Sequence, residues 1–355
     1  MISVYFQLFF IIFFMKYLLT GVFILTVVIA GIFIFRKQFR PSANTKPVNV
    51  TKPPSYPLSI DIMRSKLYPG SEIVIEETLS PESNYNRYIA SYKSDGLKIY
   101  ALLTVPKGNP PAGGWPVIIF NHGYIPPEVY RTTERYIAYV DALARNGYIV
   151  FKPDFRGNGQ SEGQPEGAYY SPAYAVDDLN AITSIKKYKE ANPNRIGVWG
   201  HSMGGNVALR DIVVNLKDIK ATVIWAGVVG SYSDLMNNWQ RKVPYQPSER
   251  ELALRNRNRQ KIIQQYGTPE TNPEYWRSID PTYFISDITT PVQLHHGLAD
   301  EEVPVLFSEE LKNKLEKAGK SVELYTYPGA DHNISGYSFN IAMEKTINFF
   351  NRYLK

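Results

Sequence analysis

Short apolar runs that alternate with stretches of helical periodicity constrain this chain more than any other feature. The runs are WPVIIFNHG (115–123), YIVFKPD (148–154), IGVWGHS (196–202), ATVIWAG (221–227), PVQLHHG (291–297) and SVELYTYPG (321–329). Helices are expected at about 132–146, 171–189, 203–214, 304–319 and 338–354, the second opened by Ser171-Pro172 as cap and first helical residue. Strands that are apolar throughout must be covered on both sides. The pattern therefore predicts an α/β fold, a mostly parallel eight-stranded sheet with helices on both faces. Residues 72–79 and 86–106, the latter folded back at Ser94-Asp95-Gly96, read as antiparallel strands at one edge. Residues 230–282 interrupt the alternation with a polar, helical stretch. Following a strand's carboxyl end, they are expected to form a cap over the edge where such sheets bind ligands, the alternative being a peripheral helical decoration.

The N-terminus obeys a different solvent. Residues 17–35 (YLLTGVFILTVVIAGIFIF) carry no charge and stop at Arg36, Lys37 and Arg40, which predicts a transmembrane anchor. Residues 1–14 are also apolar, and Met15-Lys16 would serve as a start as well as Met1 does. No small-x-small cleavage site follows the span, so a retained single-pass anchor is expected rather than a cleaved signal peptide. The cations after the span, counted alone, put the following domain in the cytoplasm, although large domains can translocate past such charges. The domain plan is thus an N-terminal hydrophobic segment at 1–40, a Pro/Ser/Thr/Asn-rich linker at 41–60, and a globular domain at 61–355.

Composition removes several classes of function. The chain has no cysteine, which excludes disulfides, thiolate zinc sites, iron–sulfur clusters and a cysteine nucleophile. Its net charge is +6, and the body holds no Lys/Arg block interleaved with aromatics, so no nucleic-acid partner is expected. The Asp154–Gly163 stretch follows a strand as a dinucleotide loop does, but its glycine spacing is wrong for G-x-G-x-x-G; it reads as a turn held by Asp154 and Arg156. No P-loop and no HExxH motif occurs, and neither a metal nor an organic cofactor is implied.

One motif carries chemistry. Gly200-His201-Ser202-Met203-Gly204 is G-x-S-x-G between a predicted strand and a predicted helix. That context describes the nucleophile elbow of α/β-hydrolases: a tight strand-to-helix turn lifts the serine above the sheet, and the glycines let strand and helix backbones approach. A serine hydroxyl needs a base to become a nucleophile. In this fold the chain order is serine, acid, histidine, and only His332 follows an acid at the end of a later strand. Asp300, in HHGLADEEVP, is the candidate acid, with Glu301 and Glu302 as alternatives; Asp331 is too near His332 in sequence. His122 reads as structural. His295 and His296, adjacent on a strand, should point to opposite faces and so cannot ligate one metal together. The oxyanion hole is expected from the backbone N–H groups of Met203 and Tyr124, the latter in the loop after the strand ending in FNHGY.

These segments together resemble the catalytic domain of the prolyl oligopeptidase family of serine peptidases. The similarity is carried by SDGLKIYALLTVPKG (94–108), DFRGNGQSEG (154–163), NPNRIGVWGHSMGG (192–205), TPETNPEYWRSIDP (268–281), PVQLHHGLADEEVP (291–304) and YPGADHNIS (327–335), and covers about residues 85–355. The resemblance implies an α/β-hydrolase fold with Ser202, Asp300 and His332 as the triad, in agreement with the reading from the residues. It departs from the family in two respects. Larger members place a β-propeller before the catalytic domain, and residues 41–84 are too few for one; the paired glutamates with which the family's dipeptidyl peptidases hold a substrate N-terminus have no counterpart. The expected activity is acyl transfer to water from a small peptide or an ester. Peptidase activity is the first reading and carboxylesterase activity the second. A binding protein on a silent hydrolase fold is the remote third, because all three triad positions are filled.

Overall fold

The hairpin expected around Ser94-Asp95-Gly96 forms in the computed structural model, which describes residues 56, 58–242 and 249–355. Asp95 and Gly96 both take left-handed φ values of 50° and 82°, the conformation that lets a two-residue loop match the twist of its strands. Strands β2 (Tyr85–Ser94) and β3 (Leu97–Pro106) pair along their full length on either side of it. β1 (Val74–Leu79) pairs with β2, and β3 pairs with β5 (Ile149–Pro153), all antiparallel. The remaining strands are β4 (Trp115–Asn121), β6 (Ala191–His201), β7 (Ile219–Trp225), β8 (Val292–Gly297) and β9 (Val322–Tyr327). The sheet order is β1-β2-β3-β5-β4-β6-β7-β8-β9, parallel from β5 onward. The described sheet thus has nine strands, a correction to the expected eight. The 95–96 turn yields two full-length strands, so three strands stand at the antiparallel edge.

Alternation along the buried strands sends side chains into two cores. Val117, Ile119, Val198 and Ile224 face the layer formed by α1 (Ile60–Ser65), α3 (Ala173–Ile185), α4 (Met203–Val214) and α8 (Val305–Lys317). Ile118, Phe120, Trp199 and Trp225 face α2 (Ile137–Arg145) and α9 (Tyr337–Leu354). Burial of both faces is what the uninterrupted apolar runs require. α2 starts five residues later than the sequence period suggests. The Thr132 hydroxyl is committed to Asp154 Oδ2 at 2.5 Å, and Arg135 and Tyr136 adopt left-handed φ values of 58° and 53°, so the segment turns before it coils.

The interruption at 230–282 is helical, as expected: α5 (Tyr232–Asn237), α6 (Glu249–Tyr266) and α7 (Pro273–Ile279). Part of it belongs to the core, since Tyr275, Trp276 and Ile279 are buried there. Part of it runs along the carboxyl edge of the sheet, where Asn258 donates to the Glu166 carbonyl and Trp239 Nε1 to the Glu302 carbonyl. At the other end of the domain, Ser59 caps α1 and Ile60 is fully buried, so the last residues of the 41–60 linker are docked on the domain. The expected anchor at 17–35, the 1–40 segment and most of the linker lie outside the described residues. Among the described residues no helix is long and apolar enough to cross a membrane.

Candidate active site

Ser202 occupies a strained corner between β6 and α4. Its φ of 54° and ψ of −117° lie outside the regions L-residues favour, and the surrounding packing enforces them. A methyl group on Gly204 would sit 2.0 Å from the Asn121 carbonyl oxygen, and one on Gly200 2.3 Å from the Gly204 carbonyl oxygen. Both glycines of the motif are therefore fixed by backbone-to-backbone approach, the reason anticipated from the sequence. The turn leaves Ser202 partly exposed while its neighbours on both sides are buried. Met203 is the first residue of α4, so its N–H has no partner inside the helix and stands beside the serine.

The loops after β8 and β9 bring acid and histidine together. Leu298 N–H donates to the Tyr327 carbonyl and Ala299 N–H to the Ala330 carbonyl, each at 2.9 Å. A side chain on Gly297 would collide with the carbonyl oxygens of Ala330 and Asp331 at 2.3 Å. Zipped in this way, the loops place His332 Nδ1 2.7 Å from Asp300 Oδ2. The other carboxylate oxygen, Oδ1, accepts the N–H groups of Glu302 at 2.8 Å and Val303 at 2.9 Å. Burial alone would raise the Asp300 carboxyl. Hydrogen bonds from His296, His332 and Val303 outweigh it and hold the group well below the usual carboxylate range. Glu301 and Glu302 do not reach His332 in this way; Glu302 pairs with Arg241.

Three contributors were not singled out from the sequence. His296 Nε2 lies 3.1 Å from Asp300 Oδ2 and 3.0 Å from the Val303 carbonyl, and its Nδ1 contacts the Ser308 hydroxyl. His295 points to the opposite face of β8, as alternation demands, and bonds to Tyr327 and Gln293. The other two contributors are Tyr136 and His201. Gly123 N–H donates to Tyr136 Oη at 2.8 Å, and that hydroxyl lies 2.7 Å from His201 Nδ1. His201 Nε2 lies 3.0 Å from the His332 carbonyl. One consistent assignment of protons has Tyr136 donating to Nδ1 and Nε2–H donating to the carbonyl. It suits a ring kept neutral, since burial and the neighbouring His332 push the His201 pKa down to about 3. This chain links the elbow, the loop after β4 and the loop carrying His332. Gly123 N–H is committed to Tyr136, so that N–H is not the one available to an oxyanion in this loop. Among the described residues no hydrogen bond closes between Ser202 Oγ and the His332 ring. Such contacts commonly tighten only with substrate bound.

His122 is structural, as expected. It is buried, its Nδ1 contacts the Gly123 carbonyl at 2.7 Å, and burial pushes its pKa down to about 3. The 154–163 turn is held from both its named residues. Arg156 makes a forked pair with buried Asp177 and reaches Asp95, while Asp154 accepts the hydroxyls of Tyr130 and Thr132. Among the described residues no group of three or more His, Asp or Glu side chains is arranged to hold a metal ion.

Fold and site define a serine hydrolase of the α/β-hydrolase class. The sequence pattern of the prolyl oligopeptidase family matches residues 135–355, well over half of the chain, and the protein belongs to that family. Among curated proteins it is similar to the uncharacterized peptidase YtmA of Bacillus subtilis, with 26% identity over 253 residues, 71% of this chain and 88% of that protein. Its fold is shared with the acylaminoacyl peptidase of Pyrococcus horikoshii, at 21% identity and a TM-score of 0.60, covering 77% of this chain and 42% of that one. The acetyl xylan esterase of Paenibacillus sp. R4 has the same fold, at 19% identity and a TM-score of 0.59, covering 83% of this chain and 92% of that one. The chain therefore spans less than half of the acylaminoacyl peptidase and nearly all of the esterase.

Proposed function

We propose that the protein is a serine peptidase of the prolyl oligopeptidase kind that acts on small peptides through an acyl-enzyme, with Ser202 as nucleophile, His332 as general base and Asp300 as the orienting acid. The observation that carries the chemistry is the 2.7 Å bond from His332 Nδ1 to Asp300 Oδ2 beside the strained Ser202 elbow. Ser202 Oγ forms a bond to the substrate carbonyl carbon and gives its proton to His332 Nε2. The oxyanion is held by the N–H groups of Met203 and Tyr124, each worth roughly 3–4 kcal/mol in such sites. The bond to the leaving atom then breaks, and that atom takes the proton from Nε2. Water attacks the acyl-enzyme with Nε2 again as base, the acid departs, and the proton returns to Ser202. Asp300 keeps the imidazole in the Nδ1–H tautomer throughout and stabilises the imidazolium.

Family membership favours amide substrates, and the absence of a propeller-sized segment between 41 and 84 suits small, unscreened ones. A second reading, carboxylesterase, is favoured by the match along nearly the whole length of an acetyl xylan esterase. Residues 17–35 would tether the enzyme to a membrane. The test of substrate class is an activity panel on the full chain in detergent, comparing short-chain nitrophenyl esters with aminoacyl and prolyl anilides, with Ser202→Ala as control. Anilide cleavage that disappears in the variant supports the peptidase. Ester cleavage alone moves the assignment to a tethered esterase.

A further inference from the structure

Against the loop that carries His332 lies a cavity of about 290 Å³, lined among others by Tyr124, Val129, Arg135, Tyr136, Tyr139 and Asn333. Its place in the reaction follows from His332. The histidine hands its proton to the leaving atom, so the leaving group departs on the histidine's side. Asn333 is the next residue in the chain, and its carbonyl accepts the Tyr139 hydroxyl at 2.8 Å, which ties the cavity wall to the histidine loop. The volume is at the small end of the range for ligand pockets and is enough for a short leaving group.

Arg135 is the one charged side chain among the described residues lining this cavity. An exposed arginine is ordinary by itself. Arg135 differs in two ways. Its guanidinium makes no hydrogen bond or ion pair with any described residue, although Glu128 and Glu134 are close in sequence. Its backbone is also strained: Arg135 and Tyr136, both lining the cavity, are consecutive non-glycine residues at φ 58° and 53°. Backbone of this kind persists only where its surroundings demand it.

We propose that Arg135 binds a carboxylate on the leaving group, so that preferred substrates release a short product ending in a free carboxylate, a single amino acid or dipeptide for amide substrates and a hydroxy acid for ester substrates. The tyrosines beside it supply apolar faces for the body of that group, and the guanidinium supplies two parallel N–H donors matched to a carboxylate. This rests on the hydrolase reading above and specifies its substrate.

The experiment uses matched pairs on the full chain: N-benzoylglycyl-phenylalanine against its C-terminal amide, and the benzoylglycyl ester of phenyllactate against the corresponding phenyllactamide ester. The ratio of kcat/KM for acid over amide, taken within each enzyme, is the readout, with thermal melting as the check on folding. A charged hydrogen bond of ordinary strength predicts a ratio of roughly ten to a hundred in the wild type. Arg135→Gln should bring it near one, and Arg135→Lys should restore part of it. A wild-type ratio near or below one, or a ratio that survives in Arg135→Gln, overturns the proposal while leaving the hydrolase intact. Where neither pair is turned over, protection of Ser202 from a serine-directed phosphonate by phenyllactate against phenyllactamide gives the same comparison, and equal protection overturns the proposal. Failure of the phosphonate to label Ser202 at all would count instead against Ser202 as the nucleophile.

Discussion

Replacing Asp300 by asparagine keeps the size of the side chain and turns one of its two acceptor oxygens into a donor, and the structure dictates which. The amide has one oxygen and one NH₂ group to place where two carboxylate oxygens stood. The Oδ1 position faces the backbone N–H groups of Glu302 and Val303 at 2.8 and 2.9 Å, donors that cannot change character. The amide oxygen must stay there, so the NH₂ group takes the Oδ2 position, opposite His332 Nδ1 and His296 Nε2. His332 can meet a donor only by making Nδ1 an acceptor, which moves its proton to Nε2 and leaves that nitrogen unable to take the proton of Ser202. The expected loss is about 10³–10⁴ in kcat, or roughly 4–5 kcal/mol of transition-state stabilisation, with the oxyanion hole still working. Both backbone bonds to residue 300 survive, so the melting temperature should move by only a few degrees. The assay is steady-state hydrolysis of the best substrate from the ester and anilide panel, with melting recorded on the same preparations. An Asp300→Asn enzyme within tenfold of wild-type kcat and folded as the wild type would refute the assignment of Asp300 as the orienting acid.

Three further outcomes follow from other parts of the molecule. Tyr136→Phe strips the partner from the Gly123 N–H and from His201 Nδ1; it should cost about 1–3 kcal/mol of stability and lower kcat by roughly tenfold, measured by denaturant melts and steady-state rates. His295→Gln tests proton linkage away from the triad: burial pushes the His295 pKa down to about 3, whereas an unfolded histidine binds a proton below about 6.5. The unfolded state therefore takes up the extra proton and stability falls as pH drops through that window. The variant should lose about 2 kcal/mol less than wild type between pH 7 and 5 in denaturant titrations. An alkaline phosphatase fused after Lys355 reports the side of the membrane; inactivity in cells agrees with the cytoplasmic placement by the charge count, and activity reverses it.

What could be read from the sequence was whatever depends on short stretches of chain. The elbow is legible because five consecutive residues, their strand and their helix lie together in 196–214, and the glycines at 200 and 204 meet the backbone contacts that the motif implies. Asp300 and His332 are legible through chain order, since each follows its own strand. The chain Gly123–Tyr136–His201–His332 was not, because its members lie 13, 65 and 131 residues apart and nothing local marks them. His296 was weighed only as half of an adjacent pair that cannot share a metal, yet the alternation that separates it from His295 is what turns it toward Asp300. The late start of α2 was hidden for a similar reason. Periodicity records which positions are apolar, whereas the left-handed turn at Arg135-Tyr136 follows from contacts of Thr132 and Tyr136 with distant loops. The ninth strand was missed by counting the antiparallel edge as two strands when its turn makes three.

Everything proposed for this site rests on Ser202 as its activated nucleophile. The most direct measurement is mass spectrometry of the full chain after treatment with a serine-directed phosphonate, followed by digestion to locate the adduct. One adduct is expected, on the peptide containing Ser202, absent from Ser202→Ala and much slower to form in His332→Ala. Labelling at another serine, or none on a folded protein that still hydrolyses its substrate, would contradict it.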